Sequence, residues 1–245
     1  MMTSQQPYVP TEVDVRRIQA ELRSPPRRSL TGPPAVYLAT ARGHDEHAVR
    51  LATEVLDTEE RQRARAFRRD SDREAYVMAH AVLRGLLGSH LGMDAAALPL
   101  TREPCPGCGG PHGRPALRGA GVHFSLSHSG DLVMVALATA PVGVDVEQVP
   151  SAQATQDVQS MLHPDEAAEL LALVEQDRPL AVARAWVRKE AYLKGLGTGL
   201  SRSPGLDYLG TGPVPAASPP GWLIRDITVP TGYAAALSLA TRRPV

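Results

Sequence analysis

Two short motifs carry the residues whose types and spacing are most suited to chemistry. In Gly-Val-Asp-Val-Glu, Asp145 and Glu147 alternate with valines, which predicts a strand with both carboxylates on one face. In Trp-Val-Arg-Lys-Glu-Ala-Tyr-Leu-Lys, Glu190 and Lys194 lie four residues apart, so a helix places them on one side. Three carboxylates suit a hard divalent cation, and a cation with a lysine suits a diphosphate. The two motifs together predict a metal and phosphate site. Taken separately, the acids could be solvated on an edge strand, and Glu190 and Lys194 could form an ordinary surface ion pair.

Two further segments can supply groups for an anionic ligand. Ser127 and His128 end a predicted strand just before a glycine turn and precede the acidic strand, so they can lie near the same cleft. Hydroxyls, turn N–H groups and a protonatable imidazole suit phosphate oxygens. Arg114 adds a guanidinium on a stiff turn between a glycine and a proline. The arginines of residues 61–69 are most simply a solvated helix face, and one or two of them are candidates to grip an anion.

The elements that must position these groups follow from periodicity and capping signals. A helical pattern runs from Thr58 to Gly92 with a break near residues 70–72. Alternating or apolar patterns predict strands, and two later acid-rich or apolar segments predict helices. The strands are expected at 35–39, 122–127, 132–139, 142–147, 222–229 and 233–239, and the helices at 164–173 and 180–194. The segments 99–121 and 203–221 are rich in glycine and proline and are predicted loops.

The chain also resembles itself at an offset of 110 residues (191 − 81). Residues 81–86 and 191–196 have similar sequences, and each ends a long helix that follows a shorter one. We predict an α+β fold of two similar halves related by a pseudo-twofold axis, with the active site in the cleft between them. The proposed divisions are a polar, partly frayed segment at 1–33, an N-terminal half at 34–121 and a C-terminal half at 122–245 that carries the metal site.

Composition bounds the class of protein. The chain has 245 residues, of which 43% are hydrophobic and 21% charged, as expected of a globular protein. Lysine plus arginine and aspartate plus glutamate number 26 each, so no overall field favours nucleic acid. No apolar run approaches the length of a membrane helix, and the N-terminus lacks the apolar core of a secretory signal. A cytoplasmic protein is therefore expected, and internal pseudo-symmetry favours a monomer.

The two cysteines, Cys105 and Cys108, form a Cys-Pro-Gly-Cys loop that resembles half of a zinc knuckle, with His112 as a third ligand. A structural zinc site needs four ligands, and the chain has no second such pair. A disulfide is disfavoured in a reducing cytosol. The simplest interpretation is a turn rich in glycine and proline, with metal binding and redox chemistry as alternatives.

Four motifs together resemble the surfactin-type 4′-phosphopantetheinyl transferases. The resemblance covers Gly143 to Glu147 and Trp186 to Lys194, and upstream Gly113-Arg114-Pro115 and Phe124 to Gly130, in the same order and spacing. It implies that the chain moves the phosphopantetheine arm of coenzyme A onto a serine of an apo acyl or peptidyl carrier protein. Adenosine 3′,5′-bisphosphate would be released. Such a transfer depends on charge neutralisation and positioning.

The resemblance also implies roles for the residues that match its motifs. Asp145, Glu147 and Glu190 would hold Mg²⁺, and Glu190 would accept the proton of the carrier serine. Lys194 would neutralise the diphosphate as the bond to the leaving phosphate breaks. Lys189 is expected to touch phosphate or pantetheine near the metal.

The nucleotide end of coenzyme A is expected to contact a second group of residues. Ser127, His128 and Arg114 would bind the adenine and 3′-phosphate, with a further arginine on the 3′-phosphate. Arg69 and Arg73 are the candidates for that last contact.

Two other function classes use the same residues. A non-catalytic module that binds coenzyme A or a carrier protein would keep the arginines and His128 and could lose an acid, whereas all three acids are present. A metal-dependent phosphohydrolase or nuclease would use water as acceptor and need no carrier protein.

Overall fold

The computed structural model of the chain describes residues 6–15, 30, 32–40, 53–117 and 119–241. The strands in these residues are β1 (Thr11–Val13), β2 (Ala35–Thr40), β3 (Leu100–Arg102), β4 (Pro115–Leu117), β5 (His123–Ser129), β6 (Leu132–Ala138), β7 (Val142–Gln148), β8 (Trp222–Asp226) and β9 (Tyr233–Ala240). The helices are α1 (Thr58–Arg65), α2 (Asp70–Leu91), α3 (Ala152–Gln159), α4 (Pro164–Ala172) and α5 (Arg178–Leu196). Short 3₁₀ turns lie at Ala95–Ala97, Glu175–Asp177, Gly199–Ser201 and Pro204–Leu206.

The first sheet has the strand order β1-β2-β6-β5. β1 runs parallel to β2, and the pairs β2–β6 and β5–β6 are antiparallel, with Tyr37 opposite Val135 and Leu126 opposite Val135. One face of this sheet shares a hydrophobic core with α2, where Met78, Leu87 and Phe124 are almost fully buried. The apolar stripe of α2 therefore covers the sheet from one side, as the helical pattern predicts.

The second sheet has the order β7-β9-β8, and all its pairs are antiparallel. Asp145 pairs in register with Ala236, and Val144 with Leu237. The alanines of β9 and the apolar side of α5 share a buried cluster that includes Val187 and Ala191. Small side chains on β9 thus let α5 pack closely on this sheet, which fixes the helix that carries Glu190 beside the strand that carries Asp145.

The predicted boundary between the halves does not coincide with the division between the sheets. β5 and β6, which we assigned to the C-terminal half at 122–245, belong to the first sheet with β2. The chain passes to the second sheet only at β7. β5 and β6 join the first sheet because the apolar face of β6 completes the core formed by β2 and α2.

The segment 1–33 is more ordered than a frayed terminus where it is described. Tyr8 forms a parallel bridge with Ile227, in which its N–H donates to the Asp226 carbonyl and its carbonyl accepts from Thr228. β1 then extends the first sheet. The described part of this segment therefore connects the two sheets. The remaining residues of 1–33 lie outside the described residues, so the predicted fraying stays a prediction for them.

Several predicted elements are confirmed with small shifts in their ends. The helical pattern at 58–92 is two helices, α1 and α2, and α2 ends at Gly92 in the left-handed conformation with φ of 66°. The predicted loop at 99–121 was wrong in part, because β3 and β4 pair with each other inside it. The helix α3 had no counterpart in our prediction, because it is only eight residues long and mostly polar.

A short helix beside each sheet begins with the same kind of cap, a capping box. α1 begins with a capping box between Asp57 and Glu60, and α4 begins with one between His163 and Glu166. Each of these glutamates is buried and also bonds a buried cation on the following long helix, Arg84 for Glu60 and Lys189 for Glu166. This shared arrangement is compatible with two related halves; the pseudo-twofold relation itself stays a prediction. In the described part of the chain, no helix combines the length and the apolarity that a membrane crossing requires.

Candidate active site

A cleft of about 300 Å³ opens where β5, β7 and α5 meet. Its walls come from all three elements, and they contain every carboxylate of the two motifs. The lining residues are Leu126, Ser127, His128, Asp145, Glu147, Trp186, Glu190 and Lys194. The strand of Asp145 and Glu147 and the helix of Glu190 and Lys194 therefore border the same cleft.

Gly143 allows β7 to approach α5 closely enough to form this cleft. A Cβ added at Gly143 would lie 1.9 Å from the carbonyl oxygen of Ala191 and 2.5 Å from the backbone nitrogen of Gly195. Both are backbone atoms, so no side-chain rotation could relieve the contact. The hydroxyl of Ser238 on β9 also donates to the Ala191 carbonyl at 2.7 Å. The strand and the helix are therefore held in direct backbone contact at the base of the cleft.

Asp145 lies at the centre of the cleft and is only 2% exposed. Its Oδ1 accepts a hydrogen bond from the Ser127 hydroxyl at 2.7 Å and forms an ion pair with Lys194 Nζ at 2.6 Å. Its Oδ2 is buried and has no hydrogen-bond partner among the described residues. Leaving a buried carboxylate oxygen unpaired is unfavourable, so this atom is suited to an external cation.

The other two acids border the same space and are harder to ionise than ordinary glutamates. Glu147 accepts a hydrogen bond from Ser129 at 2.7 Å. Burial and the charge of Asp145 raise its pKa, partly offset by Ser129 and Lys194. Burial and Asp145 likewise raise the pKa of Glu190, and Lys194 lowers it. The carboxylates therefore repel one another, and a cation among them would relieve that repulsion.

The three acids share the cleft without forming a compact ligand cluster. Within the described residues, the group of His, Cys, Asp or Glu ligand atoms that lie within 4.8 Å of one another is elsewhere, at Cys105, Cys108 and His112. Mg²⁺ is commonly held by one or two carboxylates together with waters and substrate phosphates. The unpartnered Asp145 Oδ2 with Glu147 and Glu190 nearby fits that kind of site.

A row of serines on β5 positions the acids of β7. The Ser125 hydroxyl accepts from the Val144 N–H at 3.0 Å, and the Ser129 hydroxyl accepts from the Gln148 N–H at 3.1 Å. Ser127, between them, donates to Asp145. We predicted a ligand-binding role for Ser127 and overlooked Ser125 and Ser129. Their alternation at every second residue of a strand was the available signal.

His128 and Trp186 complete the walls of the cleft. Loss of solvent around the His128 ring lowers its pKa, and the positive charges of His80 and Lys194 lower it further. His128 is therefore poised as a neutral imidazole at the cleft. Trp186 packs partly against the cluster around Leu170 and also lines the cleft.

Lys189 does not reach the cleft, in contrast to our expectation that it touches phosphate or pantetheine near the metal. Its side chain is 2% exposed, and Nζ forms an ion pair with Glu166 at 2.7 Å and donates to the carbonyls of Pro204 and Asp207. The physical reason is helical geometry, since neighbours in sequence project about 100° apart and Glu190 occupies the face toward the cleft. Lys189 instead ties α5 to α4 and to the segment after α5.

The predicted arginines are also not brought to the cleft wall. Arg114 bonds Glu103 at 2.6 Å through Nε and the Gly195 carbonyl at 2.8 Å through a terminal nitrogen, so its guanidinium joins the Cys-containing loop to the end of α5. Arg69 is an exposed residue at the start of α2, and Arg73 pairs with Asp70 at 2.8 Å. None of the three lines the cleft. Contact of any of them with a bound nucleotide stays a prediction.

Comparisons with known proteins relate the chain to one superfamily of enzymes. Residues 141–218 match the model of the 4′-phosphopantetheinyl transferase superfamily. This range contains Asp145, Glu147, Glu190 and Lys194, and it covers about a third of the chain.

Individual relatives extend the likeness beyond that range. The chain is 27% identical over 196 residues to the 4′-phosphopantetheinyl transferase HetI of Nostoc sp. This match covers 76% of the chain and 78% of HetI. The chain is 28% identical over 152 residues to the putative 4′-phosphopantetheinyl transferase slr0495 of Synechocystis sp., covering 60% and 59%. A third match, to the 4′-phosphopantetheinyl transferase psf-1 of Bacillus pumilus, is 34% identical over 91 residues and covers 37% and 39%. These matches support 4′-phosphopantetheinyl transferase activity for the chain. They do not single out the surfactin type that the motifs resemble.

Proposed function

We propose that this enzyme transfers the 4′-phosphopantetheine arm of coenzyme A to a serine of an apo acyl or peptidyl carrier protein. The single observation that carries the proposal is the convergence of Asp145, Glu147, Glu190 and Lys194 on one cleft. That convergence occurs within the range that matches the transferase superfamily. The surfactin type, suggested by the four motifs, is part of the proposal.

In the proposed reaction, the serine oxygen attacks the β-phosphorus of the coenzyme A diphosphate. The bond from that phosphorus to the bridging oxygen breaks, and adenosine 3′,5′-bisphosphate leaves with the electron pair. Glu190 takes the serine proton. Burial and the charge of Asp145 raise its pKa, which suits this role because a more basic carboxylate accepts a proton more readily than an ordinary glutamate.

Asp145, Glu147 and Glu190 would hold Mg²⁺, with the unpartnered Asp145 Oδ2 as the leading ligand. Bound there, Mg²⁺ supplies charge neutralisation for the diphosphate oxygens. Lys194 would lie beside those oxygens, since its Nζ already reaches Asp145 Oδ1 and Ser127. A lysine at this point stabilises negative charge that grows on the leaving phosphate.

The nucleotide end is proposed to lie toward His128 and Ser127 on β5. Arg114, Arg69 and Arg73 remain candidates for the phosphates of that end, with Arg114 requiring release from Glu103 or a contact through its unengaged terminal nitrogen. A monomer in the cytoplasm is proposed on the sequence reasoning alone.

The test combines the enzyme with coenzyme A, Mg²⁺ and an apo carrier protein and measures the carrier by intact-mass spectrometry. The expected gain is one phosphopantetheine less water, located on one serine. Chelation should stop the reaction and added Mg²⁺ should restore it. Glu190→Gln should abolish transfer, whereas Glu175→Gln, at an exposed glutamate just before α5, should not.

Two outcomes would count against the proposal. An unmodified carrier across acyl and peptidyl types would refute the transfer. Cleavage of coenzyme A at the same rate with no carrier present would instead identify the phosphohydrolase alternative. Wild-type turnover by Glu190→Gln would remove that residue from the mechanism while leaving the enzyme class intact.

A further inference from the structure

The loop between β3 and β4 is a closed hairpin with its own internal hydrogen bonds. At its base, the Glu103 N–H donates to the Arg114 carbonyl at 3.0 Å, and the Gly113 N–H donates to the Glu103 carbonyl at 3.1 Å. Inside it, Cys105 and Gly109 form a turn in which the Gly109 N–H donates to the Cys105 carbonyl at 2.7 Å. Gly109 has φ of 73°, which favours glycine. The loop is therefore a built structure.

This fold brings three metal-ligating side chains together. One ligand atom from each of Cys105, Cys108 and His112 lies within 4.8 Å of the other two. Cys108 Sγ and His112 Nε2 are 2.9 Å apart, and both cysteines are free thiols. In a tetrahedral zinc site, ligand atoms lie about 3.5–3.8 Å apart, as follows from bond lengths of about 2.3 Å to sulfur and about 2.0 Å to nitrogen. Small side-chain rotations would convert the observed cluster to that geometry.

Cys105 is the enclosed member of the cluster. It is 2% exposed, and the Ser201 hydroxyl lies 3.6 Å from its sulfur. Its thiol is thus held between the loop and the segment that follows α5.

We propose that Cys105, Cys108 and His112 bind one Zn²⁺ ion, at a site separate from the carboxylate cleft. Two thiols and an imidazole favour zinc over the hard cations suited to carboxylates. On binding, the two sulfur–hydrogen bonds break and two protons pass to solvent as two sulfur–zinc bonds form. The fourth position is open to water, because Cys108 and His112 face solvent and no further ligand joins the cluster in the described part of the chain.

The position of this site gives zinc a structural consequence. Cys105 contacts Ser201, and Arg114 at the base of the loop donates to the Gly195 carbonyl at 2.8 Å. Gly195 lies in the last turn of α5, next to Lys194, and Ser201 ends the 3₁₀ turn Gly199–Ser201 that follows the helix. A metal that rigidifies the loop therefore braces the end of the helix that carries the cleft lysine, and it acts there as a positioning element.

The test uses the full-length, reduced protein after metal removal and titrates it with Co²⁺. Cobalt bound to thiolates gives a sulfur-to-metal charge-transfer absorption that carboxylate sites do not give, so the readout separates this site from the acidic cleft. One equivalent of Co²⁺ should saturate the band, and Zn²⁺ should displace it. Thermal unfolding with and without Zn²⁺ provides a second readout, since a ligand of the folded state raises Tm.

Cys108→Ser and His112→Ala are the informative variants, because both side chains are exposed and their loss should leave the fold intact. Each should weaken Zn²⁺ binding about 100-fold or more, beyond the effect of losing an outer-shell partner. Ser201→Ala is the matched control: it removes a neighbour of Cys105 that is not a ligand and should keep the full band. Absence of the band in the wild-type protein, or a Zn²⁺ affinity in both ligand variants equal to that of the wild-type protein, would overturn the proposal.

Discussion

Replacing Lys189 with methionine tests whether this lysine has a structural role that differs from the role proposed for Lys194, the lysine in the cleft on the same helix. Lys189 is 2% exposed and its Nζ pairs with Glu166, which is 0% exposed. Methionine fills a similar volume but leaves the Glu166 carboxylate buried without its cation. Breaking a buried pair in this way costs about 3–5 kcal/mol.

The lower end of that range applies here, because Glu166 retains other hydrogen bonds. Its Oε1 still accepts from the N–H groups of Leu209 at 2.8 Å and Gly210 at 3.1 Å, and its Oε2 from His163 at 3.0 Å. We therefore expect a loss of about 3 kcal/mol. For a chain of this length, that loss lowers Tm by about 6–12 °C.

The assay measures Tm and, below the transition, the KM for coenzyme A of the folded protein. Lys189→Met should lower Tm as stated and leave KM near the wild-type value. Adding Glu166→Gln removes the stranded charge, so the double variant should regain part of the lost stability.

Lys194→Met is the matched comparison. Lys194 pairs with Asp145, which is 2% exposed, so Lys194→Met also leaves a buried carboxylate without its cation and should lower Tm. Unlike Lys189→Met, it should in addition reduce transfer strongly. A Lys189→Met protein with unchanged Tm and a raised KM for coenzyme A would refute the structural role of Lys189. It would place that lysine on the substrate, as the motif resemblance first suggested.

Two further predictions concern the cleft. The raised pKa of Glu190 means that its protonated form stabilises the fold below the unfolded-state pKa, and this contribution is lost as pH rises through the folded-state pKa. In metal-free protein, Glu190→Gln should therefore raise stability at neutral pH by about 0.5–2 kcal/mol, with the gain vanishing in acid; a gain independent of pH in thermal melts would contradict this. Gly143→Ala forces a methyl group to within 1.9 Å of the Ala191 carbonyl oxygen and should cost at least about 1–3 kcal/mol and most of the transfer activity. Gly212→Ala, where the nearest atom is 3.9 Å away, is its control, and equal Tm values for the two variants would contradict the close contact of β7 with α5.

Sequence patterns were sufficient for the elements that depend on local rules. The strand of Asp145 and Glu147 and the helix of Glu190 and Lys194 follow from alternation and from i, i+4 spacing, and both form as predicted. The end of α2 at Gly92 follows from the left-handed conformation that glycine tolerates. In these cases each residue's own neighbours along the chain determine its structure.

Features that depend on contacts between distant segments could not be predicted in the same way. The membership of β5 and β6 in the first sheet depends on the pairing of β6 with β2, whose partner residues lie 92 to 102 positions earlier (132 − 40 and 137 − 35), and on the pairing of β5 with β6. The burial of Lys189 depends on Glu166 and on carbonyls after α5, none of which a helical pattern identifies. The motif assigns Arg114 to a nucleotide, and in this structure Arg114 bonds Glu103 and the end of a distant helix.

The serine row explains why the cleft lies where it does. β5 and β7 belong to different sheets, so no continuous backbone ladder joins them at the usual spacing of about 4.8 Å. The hydroxyls of Ser125, Ser127 and Ser129 bridge the two strands instead. Because the bridge is made by side chains, the strands can part toward α5 while the acids of β7 stay anchored. The buried Asp145 Oδ2, which has no hydrogen-bond partner among the described residues, thus lies on β7 where the two sheets meet, and it is available for a ligand.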